Sequence, residues 1–384
     1  MVLTITVLYV IFYIKLVYFI GVGENMEVKY LHKNEYANYM KFVFSIYKYN
    51  KCFKDTNASI IKEFFLGKSH FSQNAMIKPA MVINEGKPIA CCIFIVHNSC
   101  KERLQIAFFE AQPDCQKAVD LLITEAKAIC RNEGAKKIII GINGHVNYGL
   151  GILSDNFDKV VSFGSNYGCK YYDDYFVKYD PIVHNLNSYT WNMNTFNMEH
   201  ERKIIERVNR KYQFRPANLS NLKKEIEIFT DINNKSFKND LFYTYRDPKE
   251  DYQLFKDLSY FLKGENLIFA EDNGKPIGLI LWYPDYNEMV RPGKTLGVAT
   301  FLKYKLLKPK INRLKLSEIA VLPQYHGTGV ISGLFYKALE MTKGKYKYGE
   351  SSWVIQSNFK SDFICKRLAH SEYKHYKVYE LNVL

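Results

Sequence analysis

The 384-residue sequence lacks any paired-cysteine framework. Cys52, Cys91, Cys92, Cys100, Cys115, Cys130, Cys169 and Cys365 include no CxxC and no metal-type spacing with histidine. That pattern argues against a disulfide scaffold and a structural metal site, and reads as reduced thiols. Acidic residues are outnumbered, 39 against 53 basic, for a net charge of +14. Such a surplus favours an anionic partner, whether a nucleotide cofactor, nucleic acid or a lipid surface. The basic residues are scattered and carry no nucleic-acid motif, which disfavours a nucleic-acid role. Long apolar runs are also missing after residue 25. Only Val2 to Val22 approaches the ~20 residues that span a bilayer. This segment has no basic n-region and no small-residue cleavage site, so it does not read as a cleaved signal peptide. Three readings stay open for residues 1–25: a start codon assigned too early, with Met26 opening the first strand; a membrane anchor; or a buried or loose terminus. In the anchored case Lys29 and Lys33 hold the rest of the chain on the cytoplasmic side. The expected location is the cytoplasm.

What is present points to a folded chain of about two domains, with 47% hydrophobic and 24% charged residues. An internal echo divides it. Gly86-Lys-Pro-Ile-Ala-Cys-Cys-Ile-Phe recurs as Gly274-Lys-Pro-Ile-Gly-Leu-Ile-Leu-Trp. Each copy comes after an apolar strand and a turn, and the Asn273-Gly274 dipeptide between apolar runs is a hairpin signal. The shared order of elements after each copy suggests duplication. The expected fold class is α/β with a mixed sheet, in two related units covering 26–196 and 212–384. Residues 197–211 form a charged linking helix. In the second unit the periodicity predicts a helix over 221–237, a helix near 252–262, a hairpin over 267–283, and a strand over 314–322. A helix over 332–342, a strand over 352–356, a helix over 359–368 and a strand over 376–382 complete it.

The most informative stretch is Leu316-Ser-Glu-Ile-Ala-Val-Leu-Pro-Gln-Tyr-His-Gly-Thr-Gly-Val-Ile. A strand, a tight glycine-bearing loop and a helix N-terminus together cradle phosphate with backbone amides. Glycine permits positive φ and close approach of the backbone to a ligand.

Pro323-Gln-Tyr-His-Gly-Thr-Gly-Val resembles the acetyl-CoA pyrophosphate loop of the GNAT acyltransferase superfamily. Tyr283-Pro-Asp-Tyr-Asn-Glu, the basic segment 301–315, Ser352-Trp-Val-Ile-Gln-Ser-Asn and the run from Tyr373 are similar to a bacterial group of tandem GNAT proteins. The resemblance implies two tandem GNAT-like acyl-CoA N-acyltransferase domains, with acetyl-CoA or another acyl-CoA as co-substrate, no metal, and a small-molecule or peptide amine as acceptor. It implies backbone contacts to the pantetheine arm at Ile319 and Val321. Pyrophosphate contacts would come from His326, Gly327, Thr328, Gly329, Val330 and Ile331, with Asn358 at the end of a neighbouring strand. Glu318 takes the place of the base in several such enzymes, and Asp285 and Glu288 are runner-up acids. Two departures weaken the loop: His326 replaces the usual arginine, and Ile331 replaces a small residue. The usual general-acid tyrosine position holds Cys365, and nothing singles out Tyr373, Tyr376 or Tyr379 as a substitute.

The first unit lacks the glycine loop. Phe109-Glu-Ala-Gln-Pro-Asp-Cys-Gln precedes a helix over 116–130, and Asp114 is placed to cap that helix and repel phosphate. The N-terminal unit is therefore read as degenerate. Its glycine-rich stretch 141–151 fits neither a P-loop nor a Rossmann turn and is expected to line a cleft between the units. There His145 reads as a solvated loop histidine before it reads as a substrate contact. Asn156, Phe157 and the tyrosines of 171–175 are core or cleft wall. A CoA-binding regulatory protein and an aminoacyl-tRNA-dependent peptide transferase remain as alternative functions.

Overall fold

The computed structural model describes residues 26–358, 365–367 and 371–383. The apolar segment 1–25 and most of the helix expected over 359–368 lie outside the described residues. Among those described, no helix is long and apolar enough to cross a membrane.

Both echoes form the hairpins expected of them. In the first half, β1 (Met26–Tyr30), β2 (Ala75–Asn84), β3 (Lys87–His97), β4 (Arg103–Ala111) and β5 (Lys137–Ile140) are hydrogen-bonded in that order. The β2–β3 turn places Glu85 at φ 48° and Gly86 at φ 77°. Positive φ at both central residues is the type I′ geometry that matches strand twist. After the two-residue strand β6 (Ile152–Leu153) and β7 (Ile182–Asn192), the second half begins with β8 (Gln213–Pro216), β9 (Leu267–Asp272) and β10 (Lys275–Pro284). Its β9–β10 turn repeats the geometry, with Asn273 at φ 49° and Gly274 at φ 75°. The remaining strands are β11 (Arg313–Val321), β12 (Tyr348–Ser351), β13 (Val354–Ile355) and β14 (Ser371–Asn382).

The strands join into one mixed sheet ordered β1-β2-β3-β4-β5-β14-β7-β12-β11-β10-β9-β8. Its pairs are antiparallel except β4 with β5 and β11 with β12. Those two parallel pairs occupy equivalent places in the two halves. The centre is interleaved: β14, from the chain's end, pairs with β5 of the first half, while β7 pairs with β12 of the second. Each half therefore lends its neighbour a strand. Apolar residues of the helix Gln116–Glu133 cover one face of the first half. In the second half the helices Leu222–Ser236 and Val330–Thr342 serve the same purpose.

The strand expected over 352–356 is displaced. The main pairing lies at Tyr348–Ser351, with only Val354 and Ile355 forming a second short strand. The reason is electrostatic. Glu350 is 1% exposed, held by Lys374 Nζ at 3.1 Å and Arg313 Nη1 at 3.0 Å. A buried charge with long-range partners hides a strand from any apolar-pattern reading. The linking helix, at Arg202–Lys211, packs on Val330–Thr342 through Val208. Glu201 just before it accepts from Ser332 Oγ at 2.9 Å.

Candidate active site

The site grows from one edge of β11. Leu322 N donates to Ile277 O at 2.9 Å, and Ala320 faces Leu279. Alternation along an antiparallel strand then turns the N–H and C=O of Ile319 and Val321 away from β10. β12 covers that other edge only from Arg313 to Leu316, and the contact ends where Ser352 N donates to Leu316 O at 2.8 Å. A register shift beside Ser317 bends the strand there. The result is a wedge opening at Glu318.

A cavity of about 190 Å³ fills the wedge, lined among others by Glu318, Ile319, Ile331, Phe335, Asn358 and Cys365. A larger one of about 400 Å³ lies between the halves, with Phe64, Phe71 and Tyr148 from the first and Phe255, Leu258 and Tyr283 from the second. The two share Val146, Asn147, Ser317, Ser352 and Trp353 as walls. The glycine-rich stretch 141–151 thus reaches the cleft as expected, through Val146, Asn147 and Tyr148. His145 itself is 5% exposed and not a solvated loop residue. Its Nδ1 accepts from Asn147 N at 3.0 Å, which fixes the cleft wall. Burial, with Arg246 and His97 nearby, holds its pKa below the usual range, so the ring is neutral at pH 7.

Glu318 is 12% exposed, with Oε1 3.4 Å from Arg246 Nη2. Burial raises its pKa to about 7, Arg246 opposing the shift and Asp251 adding to it. Sequence reading missed Arg246, which sits in a polar stretch without periodicity. It is 1% exposed, donates to the Tyr243 hydroxyl at 3.1 Å and to Asp251 Oδ1 at 3.2 Å, and lies over the Phe229 ring. Asp285 is a turn residue. Its Oδ1 accepts from Phe163 N and Asn287 N, and burial raises its pKa to about 6. Glu288 Oε2 accepts from Asn312 N at 2.8 Å. Tyr376 and Tyr379 are buried, and Tyr379 donates to Asp173 in the first half. Asn358 and Cys365 line the wedge cavity, and Asn358 Nδ2 lies 3.5 Å from Asp240 Oδ2.

Beyond the strand, Pro323–Tyr325 makes a short 3-10 turn, and the helix begins at Val330. Gly327 has φ 77° and Gly329 has φ 92°. A Cβ on Gly329 would stand 2.5 Å from Ile204 Cγ2, whereas one on Gly327 would meet nothing within 4 Å. The linking helix therefore presses on one glycine and leaves the space above the other open. Among the described residues no hydrogen bond engages the amides of Gly327, Gly329, Val330 or Ile331. Thr328 is tied down, its Oγ1 donating to Tyr325 O at 2.7 Å. His326 Nε2 lies 2.9 Å from Val321 O, so its ring turns back onto the strand. The nearby cation is Arg207 of the linking helix, whose Nη2 donates to Thr328 O at 3.4 Å.

The equivalent wedge in the first half is plugged. Tyr171 donates to Ala111 O at 2.8 Å, Ala111 N donates to the Tyr172 hydroxyl at 3.1 Å, and Tyr175 donates to Gln112 O. Tyr47 and Tyr172 both donate to Glu110 Oε2 at 2.6 Å, and burial raises that carboxyl's pKa to about 8. A cavity of only about 60 Å³ remains. Asp114 does not cap the following helix. It adopts φ 59°, and the preceding turn is closed by Cys115 N donating to the Tyr175 hydroxyl at 3.0 Å. Removing the Tyr172 hydroxyl leaves the buried Ala111 amide and the Glu110 carboxyl under-bonded, which typically costs ~1–3 kcal/mol. Tyr172→Phe is expected to lose about that much stability in urea melts, with ligand binding in the second half unchanged.

Residues 228–367 match the family model described as "Acetyltransferase (GNAT) family". The chain is 22% identical to Protein YghO of Escherichia coli (strain K12) over 273 residues, 68% of this chain and 70% of that one. It is 27% identical over 175 residues to a bacterial ceramide synthase of Caulobacter vibrioides, 43% of this chain and 45% of that protein. A solved tandem GNAT protein from the clavulanic acid biosynthesis pathway superposes with a TM-score of 0.57 at 7% identity, covering 94% of this chain and 99% of the other.

Proposed function

This chain belongs to the GNAT superfamily, and on that premise we propose that it transfers an acyl group from acyl-CoA to an amine in the second-half wedge. The observation that carries the reading is Glu318, which lines the smaller cavity next to Ser317, a wall both cavities share, and whose pKa burial raises to about 7. The smaller cavity takes the thioester end of acyl-CoA and the larger one takes the acceptor. The free backbone edge at Ile319 and Val321 receives the pantetheine arm, although the Val321 carbonyl is already met by His326. The open amides around Gly327 receive the pyrophosphate, with the helix N-terminus adding positive potential. The amine nitrogen attacks the thioester carbonyl, the C–N bond forms and the C–S bond breaks. One amine proton passes to Glu318 and CoA leaves as thiolate.

Arg207 supplies the phosphate charge that His326 does not. Arg207→Ala is expected to weaken acyl-CoA binding several-fold in calorimetry at low salt, and less at high salt. The acceptor is proposed to be an amine with an apolar body. The larger cavity presents Ile60, Phe64, Leu254, Leu258 and Leu296, and one relative is named a ceramide synthase, ceramide being the amide of a long-chain amino alcohol. Thiol release from a series of acyl-CoAs, measured with short polar and long-chain amines, tests the reading. Turnover that rises with the acceptor's apolar length supports it. CoA binding without thiol release for any amine favours the regulatory alternative.

A further inference from the structure

A cluster of exposed leucines follows closely in sequence on Leu296, a residue of the larger cavity. The helix Val298–Leu307 exposes Leu302 by 50%, Leu306 by 79% and Leu307 by 67%. Leu302 and Leu306 are one helical turn apart and share a face. Lys303, Lys305, Lys308 and Lys310 are exposed around them. The inward side is held by Tyr304, whose ring meets those of Tyr286 and Phe261 at 5.6 and 6.1 Å. The segment leading in is pinned to the first half: Gly293 N donates to Phe53 O and Leu296 N donates to Asp55 O. Leu296, just before the helix, lines the larger cavity. The leucines and lysines therefore sit on a helix that directly follows a residue of the proposed acceptor site and is fixed at its base.

We propose that this helix docks the protein on an anionic lipid surface, so that the larger cavity opens toward the bilayer from which a long-chain amine enters. Clustered leucines gain from insertion among acyl chains, and lysines beside them meet lipid phosphates while their stems stay on the apolar side. A nucleic acid gives the leucines nothing to bury against. The net charge of +14 makes a negatively charged surface the complementary one. The destination of the acceptor rests on the proposed function; the docking itself does not.

The test is sedimentation of the full chain with vesicles of phosphatidylcholine alone or with phosphatidylglycerol. Binding is expected to anionic vesicles, to weaken with salt, and to fall about tenfold or more in Leu302→Ser/Leu306→Ser/Leu307→Ser and in Lys303→Glu/Lys305→Glu/Lys308→Glu. Circular dichroism melts of both variants check folding. Turnover of a short, water-soluble amine is expected to be unchanged in them, while turnover of vesicle-borne long-chain amine falls. Wild-type protein that stays in the supernatant when anionic vesicles are pelleted, or binds no better than both variants, overturns the docking proposal, and a protein partner then becomes the occupant to seek. Vesicle binding without any acyl transfer would leave docking standing and overturn the proposed function instead.

Discussion

Glu318→Gln is expected to abolish most acyl transfer while leaving acyl-CoA affinity near that of the wild type. General-base removal typically costs ~10²–10⁴-fold in rate, and the amide keeps the side chain's size and its contact with Arg246. The pH profile carries a second signature. A pKa of about 7 means the carboxylate is mostly protonated at pH 6 and mostly ionised at pH 8. The proposed base is the ionised form, so kcat should rise through neutrality and level off above it. In Glu318→Gln that inflection should disappear along with the rate. Arg246→Lys would shift the same inflection rather than remove it, because a lysine ammonium cannot reproduce the guanidinium's simultaneous contacts with Glu318, Asp251 and Tyr243. A variant that keeps the wild-type rate and inflection would remove Glu318 from the chemistry and leave it as a structural ion pair.

Gly327 gives the second large effect. A side chain there meets nothing within 4 Å, yet the residue holds φ 77°. Asparagine and aspartate tolerate that left-handed conformation better than other L-residues and have nearly the same shape. Comparing Gly327→Asn with Gly327→Asp therefore isolates charge from strain. The aspartate variant should bind acyl-CoA about tenfold or more weakly than the asparagine variant, with the gap closing as salt rises. Equal affinities would place the pyrophosphate elsewhere. Gly329 does not offer this comparison, because any Cβ there collides with Ile204 and confounds binding with folding.

The parts of the molecule that sequence revealed are those written in local patterns. Asn273-Gly274 encoded its own turn, and its echo at Glu85-Gly86 folded the same way. The strand, glycine loop and helix from Leu316 onward needed no distant partner to be recognised. What stayed hidden depends on groups far apart in the chain. Glu350 looks like a surface residue until Lys374 and Arg313 are brought beside it. The interleaving of β14 and β7 cannot be read from either strand, since each is as compatible with its own half as with the other. Arg246 and Arg207 look like two solvated cations among many; one becomes the partner of Glu318 and the other reaches the loop only because the linking helix packs there. His145 eludes sequence reading for the same reason: its polar, glycine-rich neighbours suggest solvent, yet the second half closes over it. The absence of the glycine loop from the first half was legible, but Asp114 is not what fills the equivalent position. The plug is built by the hydroxyls of Tyr171, Tyr172 and Tyr175 on the backbone groups of Ala111, Gln112 and Cys115.

The central claim is a single acyl-CoA site per chain, carried by the second half. Isothermal titration of the full protein with acetyl-CoA and a longer acyl-CoA tests it most directly. The account predicts one site per chain, unchanged in Tyr172→Phe and lost or strongly weakened in Gly327→Asp. No heat of binding at millimolar ligand, two sites per chain, or wild-type affinity in Gly327→Asp would contradict it.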